Sequence, residues 1–200
     1  MAIVGRPRTF DKQQALIKAM HVFWEKGYEG TTMADLIQSI GMKAPSIYAA
    51  FGNKDAIFKE VIQCYLPIVV KGQLAALNSS SDIYQSIESS LNESVKLFTG
   101  KDNPHTCLIM TAAINASPEN TAHVTTLKEL REEYKAAWKR RFEKASEDQQ
   151  LSIDADPTVL AEYFTALIQG MSIKAKDGAS QETLLGIVKM SLKILDQQVR

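Results

Sequence analysis

Residues 32–51 read TMADLIQSIGMKAPSIYAAF and carry the signals of two short helices joined by a tight turn. Thr32 can cap the first helix, and Asp35, three positions later, completes a capping box. The apolar residues that follow share one face at helical spacing: Met33, Leu36, Ile37 and Ile40. Gly41 then stands where the chain must reverse through the left-handed region, which glycine enters at little cost. The stretch therefore predicts a helix, a turn and a second helix.

The second helix is predicted to present a face of small side chains. Pro45 suits its first turn, where the missing N–H costs nothing, and Ile47, Tyr48 and Phe51 give it an apolar side. The side chains expected on the outer face of this helix, away from its apolar side, are Lys43, Ala44, Ser46 and Ala49. Such a face lets a helix lie deep in the major groove of DNA, which is about 12 Å wide. An ordinary helical hairpin on a protein surface is the alternative.

The sequence before this pair favours a DNA-binding module. Residues 10–27 predict a third helix that ends at Gly27, with an apolar side formed by Leu16, Ala19, Met20 and Phe23. A short basic arm, Gly5-Arg6-Pro7-Arg8, precedes it. Extended arms of this kind place arginines in a narrow minor groove. We therefore expect Arg6 and Arg8 to contact DNA.

Residues 5–58 resemble the DNA-binding domain of the tetracycline-repressor (TetR) family of bacterial regulators. The resemblance is most specific at Phe23, Gly27, Tyr28, Thr31, Thr32, Ile47, Tyr48, Phe51, Asn53, Lys54 and Asp55. Weaker similarity to the effector domains of one subgroup continues through CLIMTAAINASPEN, DADPTVLAEYFTALIQGM and AKDGAS, so the resemblance spans the whole chain. The chain departs from the family pattern at two places. Lys43 stands where the family often has serine or threonine, and Ala49-Ala50 stand where the family often has bulkier residues.

Composition agrees with a globular protein whose charge is divided unevenly. The formal net charge of the 200 residues is zero, but residues 1–54 carry seven Lys and Arg against four Asp and Glu. Cys64 and Cys107 are too few and too isolated for a disulfide framework or a zinc site. We expect no metal and no cofactor. We expect a cytoplasmic protein with no membrane role, because no secretory segment appears and no run approaches the ~18 apolar residues that a membrane span requires.

The rest of the chain predicts six more helices. Asn53 can cap a fourth helix that Pro67 kinks or ends and that resumes to about residue 77; a fifth covers residues 83–100. The next three are predicted to begin at Asn103-Pro104, Ser117-Pro118 and Asp156-Pro157, and Ser180 caps the last. The expected fold is all-α with about nine helices. A helix-turn-helix domain at residues 1–52 precedes an effector-binding and dimerisation domain at residues 53–200.

The last helix has two adjacent apolar stripes, which predict two packing partners. One stripe holds Leu184, Val188, Leu192 and Leu195, and the second holds Ile187, Met190 and Ile194. We expect a homodimer formed by the last two helices of each chain. Its predicted interface is Leu167, Met171, Leu184, Val188, Leu192 and Leu195. The alternative is a terminal helix buried in its own domain.

The resemblance implies a cavity for a small-molecule effector in the second domain. Inward-facing candidates are Tyr65, Phe98, Cys107, Met110, Thr111, Tyr134, Trp138, Phe164 and Met171. The same residues would also describe a packed core. His105 and His123 could converge with Cys107 on a ligand or metal, although isolated histidines are more often structural or solvated.

These features predict a homodimeric repressor that binds near-palindromic double-stranded operator DNA and releases it when an effector binds. Lys43, Ser46 and Ala44 are expected at the bases, with Pro45 at the head of the same helix. Phosphates are expected at Tyr48, Lys54, Thr31 and Thr32. An enzyme or ligand-sequestering bundle that has lost DNA binding is the alternative, but no nucleophile and base motif supports catalysis. A regulator controlled by a protein partner is a third possibility.

Overall fold

The computed structural model describes residues 11–101, 103–114 and 117–199. Its helices are α1 (Lys12–Gly30), α2 (Met33–Ile40), α3 (Ala44–Phe51), α4 (Lys54–Val69), α5 (Ala75–Leu77), α6 (Ile83–Thr99), α7 (Leu108–Thr111), α8 (Thr121–Glu147), α9 (Pro157–Lys176) and α10 (Gln181–Asp196). A π-helical turn (Val70–Leu74) joins α4 to α5, and a 3₁₀ turn (Pro118–Asn120) precedes α8. Counted with α4 to α5 as one continuous rod, these ranges hold nine helices and no strand, which confirms the all-α prediction.

The first three helices form the predicted helix-turn-helix unit. Thr32 accepts a hydrogen bond from the Asp35 N–H and Asp35 accepts one from the Thr32 N–H, so the capping box is confirmed. Gly41 has the left-handed conformation that the turn requires, with φ of 76°. α1 packs against α2 and α4, so the unit is held against the helix that leads out of it.

The remaining helices pack around an aromatic centre. α8 packs on α9 and α6 on α10, and the rings of Trp138, Phe142 and Phe164 stack between them. Pro67 does not end the fourth helix: the rod continues, as expected, to Leu77. The π turn directly follows the part of α4 that contains Pro67. The helix is therefore widened at this point and is not interrupted.

The prediction of a helix starting at Asn103-Pro104 was wrong. Of residues 103–114, only Leu108–Thr111 are helical, because the preceding backbone is used in tertiary hydrogen bonds. The Thr106 carbonyl accepts from the Trp24 indole at 2.8 Å, and the Cys107 N–H donates to the Ser172 hydroxyl at 2.8 Å. Residues 106–110, Ala112 and Ala113 are buried as expected, but Ile114 is 55% exposed, and most of the described segment is non-helical.

Candidate functional site

The outward face of α3 is open and carries the side chains predicted to read bases. Ile47 and Phe51 are buried, whereas Lys43, Pro45, Ser46 and Ala49 are exposed and Ala44 is half-buried. Tyr48 is 50% exposed, so it belongs to this outer face and not to the apolar side of the helix. A rigid helix with a small, polar outer surface suits insertion into a groove.

The threonine pair before α2 serves the local fold. Thr31 is buried and its hydroxyl donates to the Gly27 carbonyl at 2.6 Å, so the structure leaves no Thr31 hydroxyl for a phosphate. Thr32 is exposed, but its hydroxyl already donates to the Asp35 carboxylate at 2.7 Å. A hydrogen bond from Lys26 and the cap at Thr32 hold the pKa of Asp35 well below its usual range.

Lys54 lies at the start of α4 and is held by the end of α1. Its Nζ donates to the carbonyls of Tyr28 and Thr31, both at 3.1 Å, and lies 4.2 Å from the centre of the Tyr28 ring. An ammonium group has three N–H donors, so one remains for a phosphate. Arg6 and Arg8, the predicted minor-groove contacts, lie outside the described residues.

A compact cluster joins α1, α4 and α8, which we call the junction cluster: Tyr28, Lys54, Asp55, Phe58 and His123. The Asp55 carboxylate accepts hydrogen bonds from the Tyr28 hydroxyl and from His123 Nε2, the latter at 3.0 Å. The His123 ring packs on Tyr28 and Phe58. The hydrogen bond from His123, and then that from Tyr28, lowers the pKa of Asp55. His123 therefore has a structural role at the junction of α1, α4 and α8.

A second connection joins α1 directly to residues 106–112. Trp24 bonds the Thr106 carbonyl, and the Tyr28 N–H donates to the Ala112 carbonyl at 2.6 Å. Gly27, with φ of 71°, permits this approach, because a Cβ there would lie 3.2 Å from the Ala112 oxygen. The glycine was predicted to end the helix, but its partner 85 positions away had no signal in the sequence.

A cavity of ≈ 220 Å³ lies between the α4 rod, residues 106–112, α8 and α9. Of the residues proposed for an effector pocket, Cys107, Met110 and Tyr134 line it. Five other candidates are buried in the packed core instead: Tyr65, Phe98, Trp138, Phe164 and Met171. Thr111 is half-buried and its hydroxyl donates to the Cys107 carbonyl. The lining residues that the sequence analysis missed are Leu66, Val69, Val70, Gln73, Leu74, Ile109, Leu130, Arg131, Glu133, Ala137, Arg140 and Gln169.

The polar groups that line the cavity come from the π turn, the 106–112 segment, α8 and α9. The Tyr134 hydroxyl on α8 donates to Oε1 of Gln73 in the π turn at 3.0 Å. The Tyr65 hydroxyl donates to Cys107 Sγ at 3.5 Å, and burial raises the pKa of the Cys107 thiol. Arg131 Nη1 donates to the Ile109 carbonyl at 2.9 Å, which ties α8 to the 106–112 segment. The 106–112 segment thus both lines the cavity, at Cys107, and bonds α1, through Ala112.

The three residues considered as a metal or ligand cluster lie apart. His105 Nδ1 is 3.1 Å from the Phe98 carbonyl, His123 is in the junction cluster and Cys107 lines the cavity. Within the ranges covered by the structure, no three His, Cys, Asp or Glu side chains are grouped as a metal site. Across the same ranges, none of the helices is both long and apolar enough to cross a bilayer.

The predicted dimer interface requires a correction. Met171, Leu184, Val188, Leu192 and Leu195 are buried in the chain's own core, so they have no surface to offer a partner. Leu167 is half-buried. The second stripe of α10 faces outward instead: Met190 is 60% exposed and Ile194 is 44% exposed. With Tyr163, Leu167 and Ile187 they line a shallow apolar groove, so the unpartnered face of α9 and α10 is adjacent to the one predicted.

Comparisons with known proteins agree with this geometry. The family model for bacterial regulatory proteins of the tetR family matches residues 16–61. The HTH-type transcriptional repressor ComR of Escherichia coli (strain K12) is 34% identical over 200 residues, covering 98% of this chain and 94% of that repressor. A cysteine mutant of the TetR-family regulator CifR, complexed with 26-bp operator DNA, has a TM-score of 0.88 at 34% identity and covers 94% of this chain and 98% of that chain. AibR, solved with isovaleryl coenzyme A and operator DNA, shares the fold at 17% identity and a TM-score of 0.70 over 92% of this chain and 97% of that chain.

Proposed function

The chain belongs to the tetR family of bacterial regulators and is a DNA-binding transcriptional regulator, and we propose the residues through which it reads its operator and responds to a ligand. It acts on double-stranded operator DNA as a homodimer, and it is a transcription factor and not an enzyme. The observation that carries the proposal is the exposed outer face of α3, held rigidly by a capped α2 and a glycine turn. We place its action in the cytoplasm, where bacterial DNA lies.

We assign base contacts to the exposed side chains of α3. Lys43 and Ser46 supply hydrogen-bond donors, and Ala44 and Pro45 are small enough to let the helix approach base edges. Tyr48 and the remaining N–H of Lys54 are assigned to phosphates. Exposed Thr32 lies beside them, but its hydroxyl is used in the cap with Asp35 and is not assigned a phosphate. Arg6 and Arg8 stay proposed minor-groove contacts. We drop Thr31, because its hydroxyl is buried and already donates to Gly27.

We propose that the homodimer forms through the exposed stripe of α10 and the neighbouring surface of α9. Met190 and Ile194 are large apolar side chains that water would otherwise surround. Two-fold symmetry about this face pairs the two α3 helices and implies a near-palindromic operator. We keep the domain boundary after residue 52 as part of the proposal.

We propose that ligand binding controls DNA binding by two routes. The first is the α4 rod, which carries Asn53 and Lys54 near the reading helix and Leu66 and Gln73 at the cavity. The second is the 106–112 segment, which lines the cavity at Cys107 and bonds the end of α1 through Ala112. A ligand that shifts either wall changes the position of the DNA-reading unit, and a preference of about 1–3 kcal/mol for one state changes operator affinity about 5- to 150-fold.

Selection of bound fragments from genomic DNA tests the function. The full chain should enrich near-palindromic sites that share one sequence. Lys43→Ala and Ser46→Ala should each change the enriched sequence, whereas Ala34→Ser, on the exposed face of α2, should not. Unchanged sequence preference in both α3 variants would remove these residues from the reading face.

A further inference from the structure

We propose that the cavity beside the π turn binds a compact, uncharged molecule that accepts one hydrogen bond from the Gln73 side-chain amide through a carbonyl or ether oxygen. This inference rests on the proposed ligand-responsive function and names the chemical class of the ligand. The cavity volume of ≈ 220 Å³ sets its size. An apolar cavity of about 150 Å³ accommodates benzene, so the ligand should have about six to ten non-hydrogen atoms.

The donor is the amide nitrogen of Gln73. This side chain is 2% exposed and lines the cavity, and its Nε2 has no hydrogen-bond partner among the residues that the structure describes. Its Oε1 accepts from the Tyr134 hydroxyl at 3.0 Å. A buried donor without a partner is costly, so native proteins rarely keep one unless a ligand or another group satisfies it.

The amide is oriented with its oxygen toward Tyr134. The tyrosine proton is then used by Oε1, and only the amide N–H groups are unmatched. The rotated amide would place Nε2 at the Tyr134 oxygen, turn the tyrosine proton toward Ser94 and leave Oε1 as a buried acceptor without a partner. The first arrangement leaves donors and no acceptor facing the cavity. The ligand atom that meets Gln73 is therefore an acceptor.

The π turn fixes this donor in place. The Ala75 N–H donates to the Val70 carbonyl, so one extra residue is accommodated in the turn that carries Gln73. The Gln73 carbonyl accepts from the Ser90 hydroxyl at 2.9 Å, which attaches the turn to α6. Both oxygens of Gln73 are thus held, and only its amide nitrogen is free to meet a ligand.

The surroundings of the donor favour an uncharged ligand. The walls are largely apolar, formed by Leu66, Val69, Ile109 and Leu130. Cys107 adds a weakly polar thiol, whose raised pKa keeps it uncharged at neutral pH. A carboxylate beside Gln73 would lose its hydration for amide donors alone. Arg131 already donates to the Ile109 carbonyl, and none of the charged side chains that line the cavity, Arg131, Glu133 and Arg140, has a hydrogen bond to Gln73 or Tyr134 in the described part of the chain.

Three probes with nine non-hydrogen atoms each test the proposal on the full chain by isothermal titration calorimetry. Acetophenone has a carbonyl acceptor, α-methylstyrene replaces that oxygen by a CH₂ group, and benzoate carries a charge. One hydrogen bond to a buried donor should make acetophenone bind about tenfold more tightly than α-methylstyrene. Benzoate should bind more weakly than acetophenone. Equal affinity for the first two, tightest binding of benzoate, or no binding of any probe would overturn the proposal.

Two matched variants locate the donor. Gln73→Met removes the amide with little change in length, so it should abolish the preference for acetophenone and leave α-methylstyrene affinity within about twofold. Gln63→Met makes the same chemical change at an exposed position of α4 outside the cavity and should leave the preference intact. The comparison of probes on the unmodified chain decides the proposal even if Gln73→Met does not fold. An intact preference in a folded Gln73→Met variant would overturn it.

Operator binding separates this inference from the proposed function. If the chain binds its selected DNA sites but does not distinguish the probes, the ligand class is wrong and the DNA-binding function stands. If the chain distinguishes the probes but saturating acetophenone leaves operator affinity unchanged, the ligand-responsive function fails and the cavity assignment stands.

Discussion

The backbone N–H of Tyr28 donates a hydrogen bond of 2.6 Å to the carbonyl of Ala112, which joins the end of the first helix to the wall of the internal cavity. Gly27 makes this possible, since its φ of 71° and ψ of 176° are nearly restricted to glycine and a side chain would crowd the Ala112 oxygen. The DNA-reading unit is therefore attached to the cavity independently of α4.

Replacement of Gly27 by alanine should destabilise the protein and weaken this attachment. The backbone conformation alone costs about 1–3 kcal/mol for a residue with a Cβ, and the contact with Ala112 adds to it. Gly178→Ala is the control, because Gly178 also has positive φ but its Cβ would meet nothing within 4 Å. Urea unfolding should show a larger loss for Gly27→Ala. Equal losses would mean that the Ala112 contact does not matter for stability.

Acid should weaken the junction cluster through Asp55. The pKa of this carboxyl is lowered by hydrogen bonds from His123 and Tyr28, so the folded protein binds its proton less readily than the unfolded chain does. Its stabilising contribution is present above the unfolded value, near pH 4, and is lost as pH falls through the lower folded value. Asp55→Asn should therefore flatten the dependence of unfolding free energy on pH in this range.

Two histidine variants, one a test and one a control, check the role of Asp55 in that measurement. His123→Ala removes the largest cause of the Asp55 shift and should move the acid-induced loss of stability to higher pH. His21→Ala, on α1 against Trp24, should leave the profile unchanged. A parallel shift in both variants would contradict the role given to Asp55.

Lys54→Ala should affect both folding and DNA binding. Loss of the bonds to the Tyr28 and Thr31 carbonyls should lower stability by about 1 kcal/mol. Loss of a phosphate contact should weaken binding to all DNA sequences alike and reduce the slope of log affinity against log salt by about one. Lys59→Ala, also on α4 but exposed, should change neither quantity. A normal salt slope in a folded Lys54→Ala protein would restrict Lys54 to a structural role.

Glutamate at Met190 or Ile194 should separate the subunits without unfolding them. Symmetry would place two unpaired charges in the apolar interface and weaken dimerisation about 100-fold or more. Sedimentation should detect folded monomers, and Ile153→Glu, at an 85% exposed site, should remain dimeric. Val188→Glu should unfold the chain instead, because Val188 is buried in its own core. Folded dimers of both Met190→Glu and Ile194→Glu would place the interface elsewhere.

Local signals in the sequence predicted most of the fold. The capping box at Thr32, the turn at Gly41 and the caps at Asn53, Asp156 and Ser180 all depend on neighbouring residues, and each was found as expected. The helix expected at Asn103 failed because its backbone bonds to Trp24 and Ser172, which are distant in sequence.

The candidate site was harder to predict, because periodicity shows which residues face inward but does not separate a cavity from a core. Trp138 and Cys107 both face inward, yet only Cys107 lines the cavity. Gln73 was missed because a polar residue in an apolar helix looks like a surface position. Only the π turn and the partner hydroxyl of Tyr134 bring it inside.

The π turn also suggests how such a regulator could change its ligand during evolution. It holds one residue more than an α-helical turn, so deletion of exposed Lys71 would restore a regular helix and leave the faces of the rod on either side nearly in place. The side chains of the turn itself would be redirected, so Gln73 would no longer meet the cavity beside Leu66 as it does now. A single-codon insertion or deletion could thus exchange the recognised ligand in one step, while the operator-reading helices keep their sequence.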